Sequence, residues 1–168
     1  MLGVLALAAS LLAAQPQTDP RIGTFGDACL TETPATREGL KAAAVRNEWL
    51  AGQAATPEGL EWRDIYRAGQ AVVRLDQHRT TADNPGERIC VVLIGRAPAG
   101  WQDQVSALVS NGVAVGAPGT YDTNVYQLPP ELELTVWDLT DGSRIHALRE
   151  PDNTLELSVN YPTDRPRP

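Results

Sequence analysis

Ile89-Cys90-Val91-Val92-Leu93-Ile94 is a run of six residues without a polar side chain, closed by Gly95. Its β-branched content and flanking turn signals favour a strand over a buried helix, and unbroken apolarity implies that both faces are covered. Just upstream, Ala71 to Thr80 alternates, with Val73 and Leu75 on one side and Arg74, Asp76 and His78 on the other. The segment Ala82-Asp83-Asn84-Pro85-Gly86 between them is a turn, so the two strands are predicted to form an antiparallel hairpin. A turn centred on Asn84 makes paired residues sum to 168, setting Cys90 opposite His78 and Val92 opposite Asp76. That register gathers Val73, Leu75, Val91 and Leu93 on one apolar face and is preferred for that reason. A one-residue slip would put Cys90 on the face of Val73 and Leu75 instead and leave the polar trio open to water.

The C-terminal third repeats the period of two. Leu132, Leu134 and Val136 alternate with Glu131, Glu133 and Thr135, the Asp141-Gly142 turn follows, and Ile145 and Ala147 lie on the return. After Pro151-Asp152-Asn153, Leu155, Leu157, Val159 and Tyr161 alternate with Glu156, Ser158 and Asn160. The pattern predicts a three-stranded meander with one polar face, on which Trp137 continues the outward series of Glu133 and Thr135, either exposed or lying under the loop of residues 113 to 130. Glu61 to Tyr66 adds a short strand.

Helical spacing occurs twice. Thr33 reads as an N-cap with Pro34 at the first helical position, and the helix runs through Leu40, Val45 and Trp49 to Gly52. Trp101, Val105, Leu108 and Val109 form the stripe of a second helix, closed by Gly112. Residues 15 to 32, with Pro16, Pro20, Gly23 and Gly26, read as an N-terminal arm without regular structure before Phe25 to Leu30. Residues 113 to 130, rich in Gly, Pro, Asn and Thr, read as a long surface loop and a candidate binding surface. The elements sum to a single α+β domain over residues 33 to 161. An antiparallel sheet of five or six strands is covered by two helices, and a disordered tail follows from 162 to 168.

Met1 to Ala14 is an apolar run too short to span a bilayer and is followed by polar residues, which is the pattern of a secretory signal. Cleavage is expected after Ala14, giving a periplasmic or secreted protein with no stable membrane insertion. No Lys or Arg precedes the run, and an uncleaved or buried N-terminal segment is the alternative. In an exported chain the two cysteines, Cys29 and Cys90, are expected to form one disulfide, with Phe25 packed beside it. Two buried thiols are the other reading. The pair lacks the Cys-x-x-Cys spacing of a redox site.

Charge narrows the partners. The 168 residues carry a formal net charge of −7, and the single lysine, Lys41, stands among arginines spread along the whole chain. With no basic cluster to neutralise phosphates, nucleic acid is not an expected partner, nor is an anionic membrane surface. An envelope protein or a small ligand is.

Candidate chemistry is sparse. Arg74, Asp76 and His78 share one strand face and form a tentative binding face; Asp76 and His78 could also orient one another as an acid and base pair. The plain alternative is a solvated sheet face. His146 is the only other histidine, and neither has neighbours at metal-ligand spacing, so no metal is expected. Gly95 to Gly100 joins a strand to a helix but lacks the Lys-Ser or Lys-Thr of a phosphate loop, and Asp138 to Gly142 lacks the ligand spacing of a calcium loop. No cofactor is expected.

Phe25-x-x-x-Cys29-Leu30, followed by the Ala-rich helix ending in Trp49 and by the strand cysteine Cys90, resembles small exported proteins of alphaproteobacterial type. The resemblance covers the first half of the chain and implies an envelope location with one disulfide, and no activity. Three functional readings stand. The first is a non-enzymatic exported binding protein of the bacterial envelope; the second is a hydrolase-like periplasmic enzyme using Asp76 and His78. The third is a structural envelope protein held by an uncleaved N-terminal segment.

Overall fold

The computed structural model describes residues 18–31, 35–81, 86–110, 119–120, 129, 131–139 and 142–162. The signal peptide expected at 1–14, the Pro34 start of the first helix, the centre of the Asn84 turn and the tail beyond residue 162 lie outside them. So does most of the 113–130 loop.

The fold is α+β: an antiparallel sheet with helices and one disulfide. Among the described residues its eight strands are β1 (Leu50–Ala51), β2 (Leu60–Ala68), β3 (Ala71–His78), β4 (Glu87–Ile94), β5 (Gly119–Thr120), β6 (Glu133–Asp138), β7 (Arg144–Arg149) and β8 (Leu155–Pro162). They lie in the order β1-β2-β3-β4-β8-β7-β6-β5. Six of these answer to the strands read from periodicity. The count of five or six falls short because β1 and β5 are two residues long, too short to show a period. The C-terminal meander is present as β6, β7 and β8.

Three helices occur among the described residues, one more than expected. Part of the arm is helical: α1 (Pro20–Phe25) runs on into a π-helical turn, Gly26–Leu30. Its start was encoded in Asp19-Pro20, since the Asp19 carboxylate accepts the Arg21 N–H and Pro20 occupies the first turn, where its missing donor costs nothing. Gly23 and Gly26, read as breakers, are carried inside the helical stretch because packing overrides their weak propensity. The next helix, α2, is Arg37–Arg46, capped by Thr36 through the Gly39 N–H, so it starts later than Thr33 and stops before Trp49. The last helix, α3, is Trp101–Ser110.

One face of the sheet carries the main core. Ile22, Phe25, Leu40, Trp101, Val105 and Val109 from the helices pack with Val73, Leu75, Val92, Ile94, Leu157 and Val159 from the strands. The polar ends of the helices are tied down as well: the Asp19 N–H donates to Gln104 Oε1 at 2.7 Å, and Arg21 Nη1 to the Arg96 carbonyl at 2.9 Å. Trp137 is buried in this cluster, not exposed. The face expected to be polar on β6 is the one that meets the helices, which places Leu134 and Val136 on the other side.

The β3–β4 register corrects the sum of 168. Leu75 pairs with Cys90 and Asp76 with Ile89, so pairs sum to 165. Cys90 therefore lies on the helix face with Val73 and Leu75, and His78 is not its neighbour. The register summing to 168 collects four apolar residues from the two strands on one side. The observed one instead sorts β4 by partner, with Cys90, Val92 and Ile94 under the helices and Ile89, Val91 and Leu93 on the far face.

Cys29 and Cys90 are bridged, with Cα atoms 5.6 Å apart and both residues fully buried. The Cys29 carbonyl, near the end of the π-helical turn, receives a buried hydrogen bond from the Tyr161 hydroxyl on β8. Chain entropy and packing thus act on the same point. Replacing both cysteines by serine is expected to lower unfolding free energy by roughly 2–4 kcal/mol in urea titrations. Both thiols of the wild-type protein should resist alkylation after non-reducing denaturation; labelling of either would contradict the bridge.

Candidate functional site

The far face is where Arg74, Asp76 and His78 were expected to offer chemistry, and the register explains their surroundings. Directly paired residues share a face, so three rows can be read across the strands. The middle row is Ile65, Arg74, Val91, Ser158, His146 and Val136. On one side of it runs Arg63, Asp76, Ile89, Asn160, Arg144 and Asp138, and on the other Val72, Leu93, Glu156, Leu148 and Leu134.

Asp76 is the centre of the polar end. Arg63, directly opposite on β2, grips its carboxylate with both arms of the guanidinium, Nε to Oδ1 at 2.6 Å and Nη2 to Oδ2 at 2.7 Å. Arg74 Nε lies 3.0 Å from Oδ2. That nitrogen is shielded from solvent and out of hydrogen-bond alignment, so it contributes charge and not a directed bond. The Asp76 side chain is 4% exposed, against 19% for Arg63 and 28% for Arg74. The hydrogen bond to Asp76 holds the Arg63 guanidinium above its ordinary range, against the opposing effect of burial. A carboxylate so held is an acceptor with both oxygens committed.

His78, at the end of β3, is half-buried, and no hydrogen bond joins it to Asp76. The structure thus brings Arg74 and Asp76 together and leaves His78 outside the cluster. Sequence reading missed Arg63. The signal was Ala68-Gly69-Gln70-Ala71: a glycine at φ +60° in the first central position of a two-residue hairpin turn fixes β2 against β3. Counting back from that turn sets Arg63 opposite Asp76.

Further along the middle row, His146 sits between Ser158 and Val136. Burial pushes its imidazole below the ordinary value of 6.5, Arg144 adds to the fall and Asp138 opposes it. Glu156 is pushed up from 4.5 by burial, a rise that Arg74 opposes and Glu150 reinforces. Val91 and Val136 are buried, yet neither belongs to the helix-side core cluster. The far face is therefore a second apolar surface with an ionic clamp at one end. Among the described residues no group of three or more His, Cys, Asp or Glu side chains is placed to hold a metal ion. No described helix is long and apolar enough to cross a membrane. Comparison with family models, curated proteins and solved structures finds no match to this chain.

Removing Arg63 strands a buried carboxylate on one misaligned partner. Arg63→Ala is expected to cost about 2–3 kcal/mol, and Arg63→Ala with Asp76→Ala distinctly less than the two single losses added together, in a urea-denaturation cycle. Additive losses would show that the pair is not coupled. For His146, whose folded-state value is depressed, the unfolded chain takes up the proton first, so its contribution to stability falls as pH drops through 6.5 toward the folded value. Its NMR titration midpoint is expected below 6.5, with no such midpoint shift for a solvent-exposed imidazole.

Proposed function

We propose that this chain is an exported, non-enzymatic binding protein of the bacterial envelope whose partner is an envelope protein or a small ligand. The observation that carries the reading is the clamp on Asp76. The carboxylate of the one candidate acid and base pair is bound by Arg63 through both oxygens, lies beside Arg74 and is almost wholly buried, which withholds it from a substrate.

Export is supported by the apolar stretch of residues 1 to 14 and by the disulfide, since such bonds form and persist in oxidising compartments. Mass spectrometry of the native protein is expected to find its N-terminus at Gln15 in the periplasmic or secreted fraction. A cytosolic protein with free thiols would overturn the localisation. For the activity, a panel of nitrophenyl esters and phosphates should show no turnover that His78→Ala or Asp76→Asn removes. Hydrolysis abolished by His78→Ala in a folded variant would restore the enzyme reading.

A further inference from the structure

One edge of the sheet is incomplete. Gly52 donates its N–H to the Ile65 carbonyl at 2.8 Å, the last bond that the β1 segment makes to β2. A Cβ at Gly52 would stand 3.0 Å from Ile65 Cγ2, so the Ile65 side chain would have to give by a few tenths of an ångström. The chain then turns away, while β2 continues in the other direction as far as Leu60. In an antiparallel strand the N–H and C=O of one residue point to the same side. The Ile65 carbonyl faces outward, so Arg63 faces outward too, and Asp64 and Tyr66 face β3. Among the described residues, the Arg63 N–H and C=O and the Ile65 N–H have no backbone partner.

Beside this edge lies a groove of about 450 Å³, lined by Ala51, Gly52 and Ala54 on one side and Arg63, Ile65 and Tyr66 on the other. The outer wall is small except for Gln53, which leaves room for a main chain, and the volume lies within the range of ligand clefts. The usual protections of an edge are weak here: the Arg63 charge is drawn off onto Asp76, and the bulge between Leu60 and Trp62 guards only the far end.

We propose that this groove binds an extended peptide segment of another protein, which adds to β2 as an edge strand through the main-chain groups of Arg63 and Ile65. The inference rests on the binding-protein reading and names the class of partner. A second copy of the chain fits less well. Self-pairing centred on Arg63 would set two guanidiniums opposite one another, and pairing centred on Trp62 would run into the bulge.

Two measurements on the full disulfide-bonded protein test it. In the free protein, the amides of Arg63 and Ile65 should exchange with solvent at least about a hundredfold faster than those of Asp64 and Tyr66. An acetylated, amidated heptapeptide of alternating Thr and Val, titrated to about millimolar concentration, should then shift and slow the Arg63 and Ile65 amides. The same peptide N-methylated at every second residue should bind about tenfold more weakly. Slow exchange in the free protein, equal binding of the methylated peptide, or no change at either amide would overturn the proposal. Protein-concentration dependence of those shifts without peptide would assign the edge to a second copy and overturn it as well. A partner cross-linked to the far face instead of the edge would defeat this inference while leaving the binding reading intact.

Discussion

The pairing of Leu75 with Cys90 decides the direction of every side chain on the two central strands. With a period of two, a slip of one residue would exchange the faces of one strand relative to the other. The observed register sends Cys90 toward the helices, where Cys29 can reach it. It sends Asp76 to the opposite face, where Arg63 and Arg74 neutralise it. The disulfide and the ionic clamp are thus two consequences of one alignment. Each supports it, since a slipped strand would put a half-cystine among arginines or a carboxylate in the apolar core, where burial without a partner is costly.

Around the disulfide, covalent and non-covalent restraints converge. The π-helical turn that carries Cys29 is anchored by the bridge to β4 and by the Tyr161 hydroxyl from β8, so the arm is fixed to two adjacent strands. At one end of the same face the stack of Arg37 and Arg88 on Trp62 closes the layer, with Arg88 Nη1 bound to the Ala35 carbonyl at 2.9 Å. These arginines cover apolar surface with their stems while their heads find acceptors.

Much of the sheet was legible because alternation over five or more residues is a strong signal. β3 and the β6 to β8 meander carried it, β4 showed as an unbroken apolar run, and the bridge followed from there being two cysteines. What was missed has physical causes. Two-residue strands have no period, and the Asp19-Pro20 helix start was masked by the glycines that follow. The register depended on a turn whose central residue cannot be told from composition, since one residue more or less in a loop is cheap. On β6 both faces are buried, so Leu134 and Val136 gave no guide to which side meets the helices. Of the site, Arg74 and Asp76 were placed together and His78 was grouped with them. The partner that binds Asp76 most closely, Arg63, lay in the least regular strand and was recoverable only through Gly69.

The hairpin register decides the placing of both the disulfide and the clamp, and cross-strand nuclear Overhauser effects report it without reference to side-chain packing. Because Arg74 and Asp76 bond toward β4, Leu75 and Cys90 form a non-hydrogen-bonded pair, whose Hα atoms lie closest in an antiparallel ladder. A strong Hα–Hα effect between Leu75 and Cys90, with another between Val73 and Val92, is the expected result. Cross-strand contact of Cys90 with His78 in its place would move Asp76 and the disulfide to one face and contradict the assignment.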